Sequence, residues 1–115
     1  LYIHSSRGYT RDGRIKPDLA APGVDVYGPG ISSVPGDFPY TRMTGSSIAA
    51  AHVAGAAACL YSWGYVKGNE PSINSRSIKA YLTLGADRIA AYRYPNPEWG
   101  YGMLNLYQSF LAMRE

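Results

Sequence analysis

The segment 44-TGSSIAAAHVAG-55 places two serines before a run of small residues, with a histidine five positions after the second serine. A serine hydroxyl becomes an effective nucleophile when a base within hydrogen-bond reach removes its proton. Five positions on one α-helix turn the chain by about 500° and raise it by about 7.5 Å. The side chains of Ser47 and His52 therefore diverge, and His52 is expected to be a buried or half-buried structural histidine.

Ser47 is nevertheless well placed for acyl-transfer chemistry. The first turn of a helix has backbone N–H groups without intrahelical acceptors and carries the positive end of the helix dipole. Such groups can bind the oxyanion that forms when a carbonyl carbon is attacked. Gly45 leaves room for a substrate backbone to come close. The alternative is an ordinary first-turn serine, and nothing around His4, the other histidine, marks it as a base.

Turn residues and hydrophobic alternation predict the elements that lead to Ser47. Residues 24–28 form a short alternating strand after a Pro-Gly turn, and residues 30–40 have the composition of a loop. Residues 40–43 are predicted to be a brief strand that delivers the chain to Gly45. The alternation in 1-LYIHSS-6 predicts a further strand at the start.

Three helices are predicted after these strands. Residues 46–63 are apolar on nearly every side, which indicates a helix buried against a sheet with Ala54 and Ala58 inside. Cys59 is expected to be a small buried hydrophobe. A second helix is predicted over 72–84, with Ser72 or Ser75 as its cap and Gly85 as its stop, and a third begins after the capping residue Asn105.

Composition excludes several classes of function. The chain is 46% hydrophobic and 17% charged, which is typical of a globular protein. Its net charge of +3 comes from scattered basic residues, so a nucleic-acid-binding surface is not expected. The apolar run near Ser47 is short, rich in alanine and interrupted by His52 and Gly55, so a membrane span is not expected either. The single cysteine excludes an intrachain disulfide.

The predicted elements do not make a complete domain. At 115 residues the chain is one domain at most. Two or three strands are too few for a self-sufficient sheet around three helices. The first residue is not methionine, and the opening segment has the pattern of a strand already in progress. We therefore expect the chain to be part of a larger α/β domain.

The segment 45-GSSIAAAHVAG-55 resembles the nucleophile segment of the subtilisin-like serine proteases, the subtilases, whose pattern is G-T-S-x-A-x-P-H-V-A-G. Residues 5–30 resemble the strand, loop and K-P-D-x-x-A-P-G stretch that precede it, and 100-GYGMLN-105 resembles the G-x-G-x-x-N before the last helix of these proteases. The nucleophile segment agrees with the family pattern at seven positions: Gly45, Ser47, Ala49, His52, Val53, Ala54 and Gly55.

This resemblance implies the α/β, three-layer subtilisin-like fold, with residues 1–115 supplying the C-terminal strands and helices of the catalytic domain. It implies a serine endopeptidase with a polypeptide substrate and no cofactor. Ser47 would be the nucleophile and an oxyanion donor, Met43, Thr44 and Gly45 would contact the substrate, and His52 would not be the base. Asp18 would be structural, or at most a weak calcium contact as in some relatives.

The sequence departs from the family pattern at three positions near the nucleophile: Ser46 replaces threonine, Thr44 replaces asparagine and Ala51 replaces proline. The family's triad aspartate, triad histidine and oxyanion asparagine all precede the region that this sequence covers. The isolated chain is therefore expected to be inactive, to need the N-terminal part of the same domain as its partner, and to self-associate. The alternative is a subtilase-like pseudoprotease that acts as a binding or regulatory protein.

Overall fold

The computed structural model describes residues 1–114, which contain two strands, three α-helices and one π-helical turn. Strands β1 (Val26–Pro29) and β2 (Tyr40–Met43) form an antiparallel hairpin. Helix α1 (Ser46–Tyr61) begins three residues after β2 and continues into the π-helical turn (Ser62–Val66). Helices α2 (Ser75–Leu84) and α3 (Leu106–Arg114) follow. This is a partial α/β fold, as predicted.

The hairpin confirms the predicted strand 40–43, whereas the first strand, predicted over 24–28, begins two residues later and ends one residue later, as β1. Its register pairs Val26 with Met43 at one end and Pro29 with Tyr40 at the other. The shift has a local cause, because Asp25 has a left-handed backbone conformation with φ 54°. That conformation interrupts extended geometry, so the strand can begin only after it.

The predicted strand over residues 1–6 is wrong. These residues form a turn in which the amide of Ser5 donates to the carbonyl oxygen of Tyr2 at 3.0 Å. A strand is stable only when its backbone groups pair with a neighbour, and no neighbouring strand pairs with this segment within residues 1–114. Leu1, Tyr2 and Ile3 are accordingly exposed.

Helix α1 begins at Ser46 as predicted, but most of it is not buried. Ala54, Ala58 and Cys59 were expected inside and are exposed. The buried residues of α1 are Ala56 and Leu60, on the side that faces α2 and α3, and Val53 and Ala57 pack beside them half-buried. The sequence of α1 is apolar all round, so it could not indicate which side packs, and the remaining sides are uncovered within residues 1–114.

Helix α2 is capped by Asn74 rather than by Ser72 or Ser75. The Asn74 side chain accepts hydrogen bonds from the amides of Arg76 and Ser77, and the Ser77 hydroxyl accepts one from the Asn74 amide. This reciprocal pair satisfies donors that the first turn leaves free. The helix ends at Gly85 as predicted, where a Cβ atom would lie 2.3 Å from the backbone nitrogen of Ser109 in α3.

The core lies where α1, α2 and α3 meet. Its centre is Ala56, Leu60 and Leu82, and half-buried apolar side chains surround it: Leu19, Val53, Ala57, Ile78, Tyr81, Leu104, Leu106, Phe110 and Met113. The radius of gyration is 16.3 Å, whereas a compact domain of this length has about 13 Å. The chain is therefore less compact than a complete domain of its length. Within residues 1–114, no helix has both the length and the apolar character needed to cross a bilayer.

The segment 18–20 pairs with the segment 100–104 through backbone contacts. The amide of Tyr101 donates to the carbonyl oxygen of Asp18, and the amide of Leu104 donates to that of Ala20, each at 2.8 Å. Gly100 has φ 59°, and a Cβ atom there would lie 2.3 Å from the Asp18 carbonyl oxygen, so only glycine fits. Asn105 caps α3 by accepting from the amide of Gln108 at 3.0 Å, as predicted.

Candidate active site

Ser47 is the second residue of α1 and its side chain is exposed. Gly45 is the N-cap and has an extended backbone, and no side chain caps this helix. Within residues 1–114, the Ser47 hydroxyl has no hydrogen-bond partner, and the amides of Ser46 and Ser47 have no acceptor. The helix start therefore presents a free hydroxyl next to free N–H groups at the positive end of the dipole.

Two backbone contacts fix this helix start. The amide of Gly45 donates to the carbonyl oxygen of Gly23 at 2.8 Å. Gly23 lies so close that a Cβ atom on it would be 2.8 Å from the Gly45 carbonyl oxygen and 3.1 Å from the Cβ of Ala49. The Pro-Gly turn after the K-P-D stretch thus lies directly against the first turn of α1. Its glycine is needed for this close approach.

The three residues predicted to contact substrate are consecutive and lead directly to the serines. Met43 ends β2 and is 52% exposed, Thr44 is exposed, and Gly45 is half-buried. The Thr44 hydroxyl accepts a hydrogen bond from the amide of Asp25 at 2.8 Å. A Cβ atom on Gly45 would meet only the Ser47 amide nitrogen, at 3.9 Å, so nothing else in the described chain requires glycine there. Their substrate contacts remain predictions.

His52 is exposed, which corrects the expectation of a buried or half-buried ring. Its Nδ1 lies 3.0 Å from the carbonyl oxygen of Ile48, one helical turn earlier. No hydrogen bond joins His52 to Ser47 in the part of the chain that the structure describes, in agreement with the helical geometry. The ring of His4 packs edge-on against Tyr2 with centroids 5.3 Å apart and likewise makes no hydrogen bond with Ser47.

Asp18 is engaged by two lysines. Its carboxylate accepts hydrogen bonds from Lys16, and Lys79 lies 3.0 Å from its second oxygen. Burial raises the pKa of this carboxyl, but the hydrogen bonds from Lys16 and Lys79 outweigh that effect, and its pKa lies below the ordinary value. These contacts favour the structural role, because both oxygens already have cationic partners. Residues 1–114 contain no cluster of three or more His, Cys, Asp or Glu side chains that could hold a metal ion.

Sequence reasoning did not find the contacts of Gly23 with Gly45, of Asp25 with Thr44, or of Lys79 with Asp18. The Gly23 contact had a signal in the A-P-G turn, which marks a backbone position without a side chain. The other two join residues 19 and 61 positions apart and have no local signature. What the described residues supply is a nucleophile candidate with a free backbone N–H group beside it, and within 1–114 no base is in contact with it.

Comparisons with known proteins agree with this geometry. A model of the subtilase family matches residues 1–102. Pyrolysin of Pyrococcus furiosus is 34% identical over 99% of this chain, which covers 8% of pyrolysin. The subtilisin-like protease SBT4.14 of Arabidopsis thaliana is 32% identical over 76% of this chain, which corresponds to 12% of its own length.

A solved structure shares the fold as well. The CspB protease of Clostridium perfringens superimposes with a TM-score of 0.81 at 37% identity, over 95% of this chain and 23% of the protease. The chain therefore spans less than a quarter of each of these relatives. The likeness extends over nearly the whole chain.

Proposed function

The chain belongs to the subtilase family, and we propose that it is the C-terminal part of the catalytic domain of a serine endopeptidase, with Ser47 as the nucleophile. The observation that carries this proposal is the geometry of the helix start. Ser47 presents an exposed hydroxyl without a hydrogen-bond partner and a free backbone amide in the first turn of α1. The substrate is a polypeptide.

The free amide of Ser47 would act on the charge that develops during acylation. Attack of the Ser47 Oγ on a peptide carbonyl carbon converts the carbonyl oxygen to an oxyanion, which a preorganised N–H donor stabilises. The proton of the hydroxyl passes to a base and then to the leaving amine as the carbon–nitrogen bond breaks. Water attacks the acyl-enzyme in the second half of the reaction and releases the acid.

The base is not His52, because its side chain diverges from that of Ser47 along the helix and no hydrogen bond joins the two within residues 1–114. In the proposed enzyme the base and its orienting aspartate come from the part of the domain that precedes this chain. That part also covers the exposed sides of α1, where Ala54, Ala58 and Cys59 are open to solvent in the described residues. An apolar surface of this kind is normally covered.

The test uses the full-length protein that carries this chain and a fluorophosphonate probe, which phosphonylates an activated serine. We expect wild-type protein to be labelled at Ser47 and to hydrolyse peptides, and Ser47→Ala to do neither. Ser46→Ala is the matched control, because it removes the neighbouring hydroxyl and should still be labelled. A folded wild-type protein that is neither labelled nor active would show a pseudoprotease instead. Labelling of Ser47→Ala at another serine would refute the assignment.

A second arm uses the 115-residue chain alone. Loss of the base forfeits most of the rate enhancement of a serine protease, because nucleophile, base and oxyanion donors act as a unit. We therefore expect no labelling of Ser47 in the isolated chain. Labelling at a rate typical of serine proteases would mean that a base comes from within this sequence, and His4 would then be the first residue to substitute.

A further inference from the structure

We propose that Thr44 and Asp25 are positioning residues for Ser47: the Thr44 hydroxyl, held by the Asp25 amide, fixes the backbone that enters the nucleophile helix. This inference rests on the proposed role of Ser47 and adds to it a residue pair outside the nucleophile segment. It assigns the Thr44 hydroxyl to the protein's own backbone rather than to the substrate.

The contact joins two chain segments that both lead to the helix start. The Asp25 amide donates to the Thr44 Oγ1 at 2.8 Å. The next hydrogen bond along the chain is that of the Gly45 amide to the Gly23 carbonyl oxygen, also 2.8 Å. Residues 44 and 45 are therefore tied to residues 25 and 23 by adjacent bonds, one through a side chain and one through the backbone. Ser47 lies only two residues beyond these two hydrogen bonds.

The backbone conformation of Asp25 limits which residues can stand there and still donate this hydrogen bond to Thr44. Asp25 is the one residue other than glycine with positive φ in the described chain, at 54°. Aspartate and asparagine tolerate this conformation better than most residues, whereas a β-branched residue there is strongly disfavoured. The turn at Asp25 comes between the Gly23 contact and the first residue of β1, and it leaves the Asp25 amide bonded to Thr44.

The ion pair between Arg42 and Asp25 contributes less to holding the helix start than these two hydrogen bonds. Arg42 Nη1 lies 2.7 Å from Asp25 Oδ2, but the side chains are 65% and 62% exposed. An ion pair this exposed to solvent contributes little. The hydrogen bond between the Asp25 amide and the Thr44 hydroxyl is therefore the contact that holds the backbone. Breaking the Arg42–Asp25 ion pair alone serves as a control, because it leaves that hydrogen bond in place.

A shift of the helix start would matter because catalysis depends on position. Moving the Ser47 hydroxyl or its amide changes the alignment of nucleophile and oxyanion donor with the scissile carbonyl. A misplacement of about 1 Å can cost roughly 100-fold in rate. The alternative for Thr44 is direct contact with the leaving-group side of a peptide substrate. A fluorophosphonate probe separates the two, because its leaving group is fluoride and it carries no residues on that side.

The experiment measures the rate of fluorophosphonate labelling and the kcat and KM of peptide hydrolysis on the full-length protein. Thr44→Val removes the hydroxyl with little change of shape, and Asp25→Val disfavours positive φ. We expect each to slow labelling and to lower kcat by about tenfold or more, with little change of KM. Thr44→Ser keeps the hydroxyl and Asp25→Asn keeps the backbone preference, so both should restore labelling.

Two further variants test whether the pair acts together. Arg42→Ala breaks the ion pair alone and should stay within about fivefold of wild type. The double variant Thr44→Val/Asp25→Val should label about as fast as the slower single variant, because both changes remove one contact and their effects should not add. Rates are compared at a temperature at which thermal unfolding shows every variant to be folded, which removes loss of folded protein as a cause.

The outcomes distinguish failure of the positioning role of Thr44 and Asp25 from failure of the proposed function. The positioning role is overturned if Thr44→Val is labelled at the wild-type rate. It is also overturned if Thr44→Ser is labelled as slowly as Thr44→Val. Normal labelling with slow peptide hydrolysis also overturns it and shows that Thr44 contacts substrate. Failure of the proposed function is seen separately, in a Ser47→Ala protein that still hydrolyses peptides or a wild-type protein that is not labelled.

Discussion

The backbone amide of Gly45 donates a 2.8 Å hydrogen bond to the carbonyl oxygen of Gly23. The bond joins the turn after the K-P-D stretch to the N-cap of the helix that carries Ser47. Both partners are glycines, but for different reasons. A Cβ atom on Gly23 would collide with Gly45 and Ala49, whereas a Cβ atom on Gly45 would meet only the Ser47 amide nitrogen.

Substitution of Gly23 should therefore lower stability, whereas substitution of Gly45 should lower activity. Gly23→Ala overpacks the helix start and should lower the free energy of unfolding by about 1–3 kcal/mol. The backbone at Gly45 is extended, a conformation that alanine also adopts, so Gly45→Ala should leave the free energy of unfolding nearly unchanged. Its methyl group would lie 3.9 Å from the Ser47 amide nitrogen, where it crowds the oxyanion position, so kcat should fall by about tenfold or more.

Denaturant unfolding and steady-state kinetics on the two full-length variants check this expectation. Gly45→Ala that unfolds as readily as Gly23→Ala would show that the glycine at position 45 serves the fold. Gly45→Ala with full activity would show that the space beside the Ser47 amide is not used by substrate.

His52→Ala should have little effect on the chemical step. The ring is exposed, and the one hydrogen bond that it makes within residues 1–114 is to the carbonyl oxygen of Ile48 in the same helix. Loss of that bond should cost about 0.5–1.5 kcal/mol of stability, and the labelling rate of Ser47 should be unchanged. Thermal unfolding and probe labelling of the full-length variant measure both. A stable His52→Ala protein as inactive as Ser47→Ala would contradict this assignment.

The pH dependence of stability should reveal the Asp18 contacts. The pKa of Asp18 is below its ordinary value of 3.8 because hydrogen bonds from Lys16 and Lys79 outweigh the effect of burial. A carboxyl whose pKa is lowered on folding stabilises the folded state above the unfolded pKa and loses that contribution as the pH falls through the folded pKa. The stabilisation should therefore be complete above about pH 5 and disappear progressively below about pH 4.

Asp18→Asn tests this expectation, since it removes the titrating group and keeps the shape. Thermal unfolding of wild type and variant from pH 2 to pH 7 should show a difference in Tm at neutral pH that vanishes in acid. Asp12→Asn is the comparison variant, because the pKa of Asp12 is also lowered, chiefly by the Thr10 hydrogen bond, but on a side chain that is 63% exposed. A Tm difference for Asp18→Asn that persists at pH 2 would assign its effect to packing.

The isolated 115-residue chain should self-associate through the exposed sides of α1. Ala54 is exposed and Ala56 is buried, so a charge has different consequences at the two positions. Ala54→Glu should shift the chain towards monomer in sedimentation velocity and preserve its helical circular dichroism. Ala56→Glu should unfold it, because an unpaired charge would enter the core. A wild-type chain that stays monomeric at high concentration would contradict the prediction.

Several elements could be predicted from the sequence because the residues that determine them are close together in the chain. Strand β2 and the start of α1 lie where the turn glycines and the apolar pattern placed them. Gly85 and Asn105 end and cap helices as predicted, since these roles depend on residues within one turn. The divergence of Ser47 and His52 also followed from helix geometry alone. Even so, the cap of α2 was assigned to the neighbouring serines, although Asn74 makes the reciprocal bonds.

Other features were decided only by the tertiary structure. The sequence of α1 is apolar all round, so which residues are buried depends on where α2 and α3 lie, and Ala54, Ala58, Cys59 and His52 were all placed wrongly inside. The strand predicted over 1–6 failed because alternation shows only a preference, whereas a strand also needs a hydrogen-bonded neighbour.

The contacts that fix the start of α1 join residues far apart in the chain, and no local pattern specifies such pairs. Thr44 bonds to Asp25, and Gly45 bonds to Gly23. The sequence by itself determined that a serine stands at a helix start with the motif of a subtilase. The tertiary structure determined how that helix start is held, because hydrogen bonds between distant segments exist only once the chain has folded.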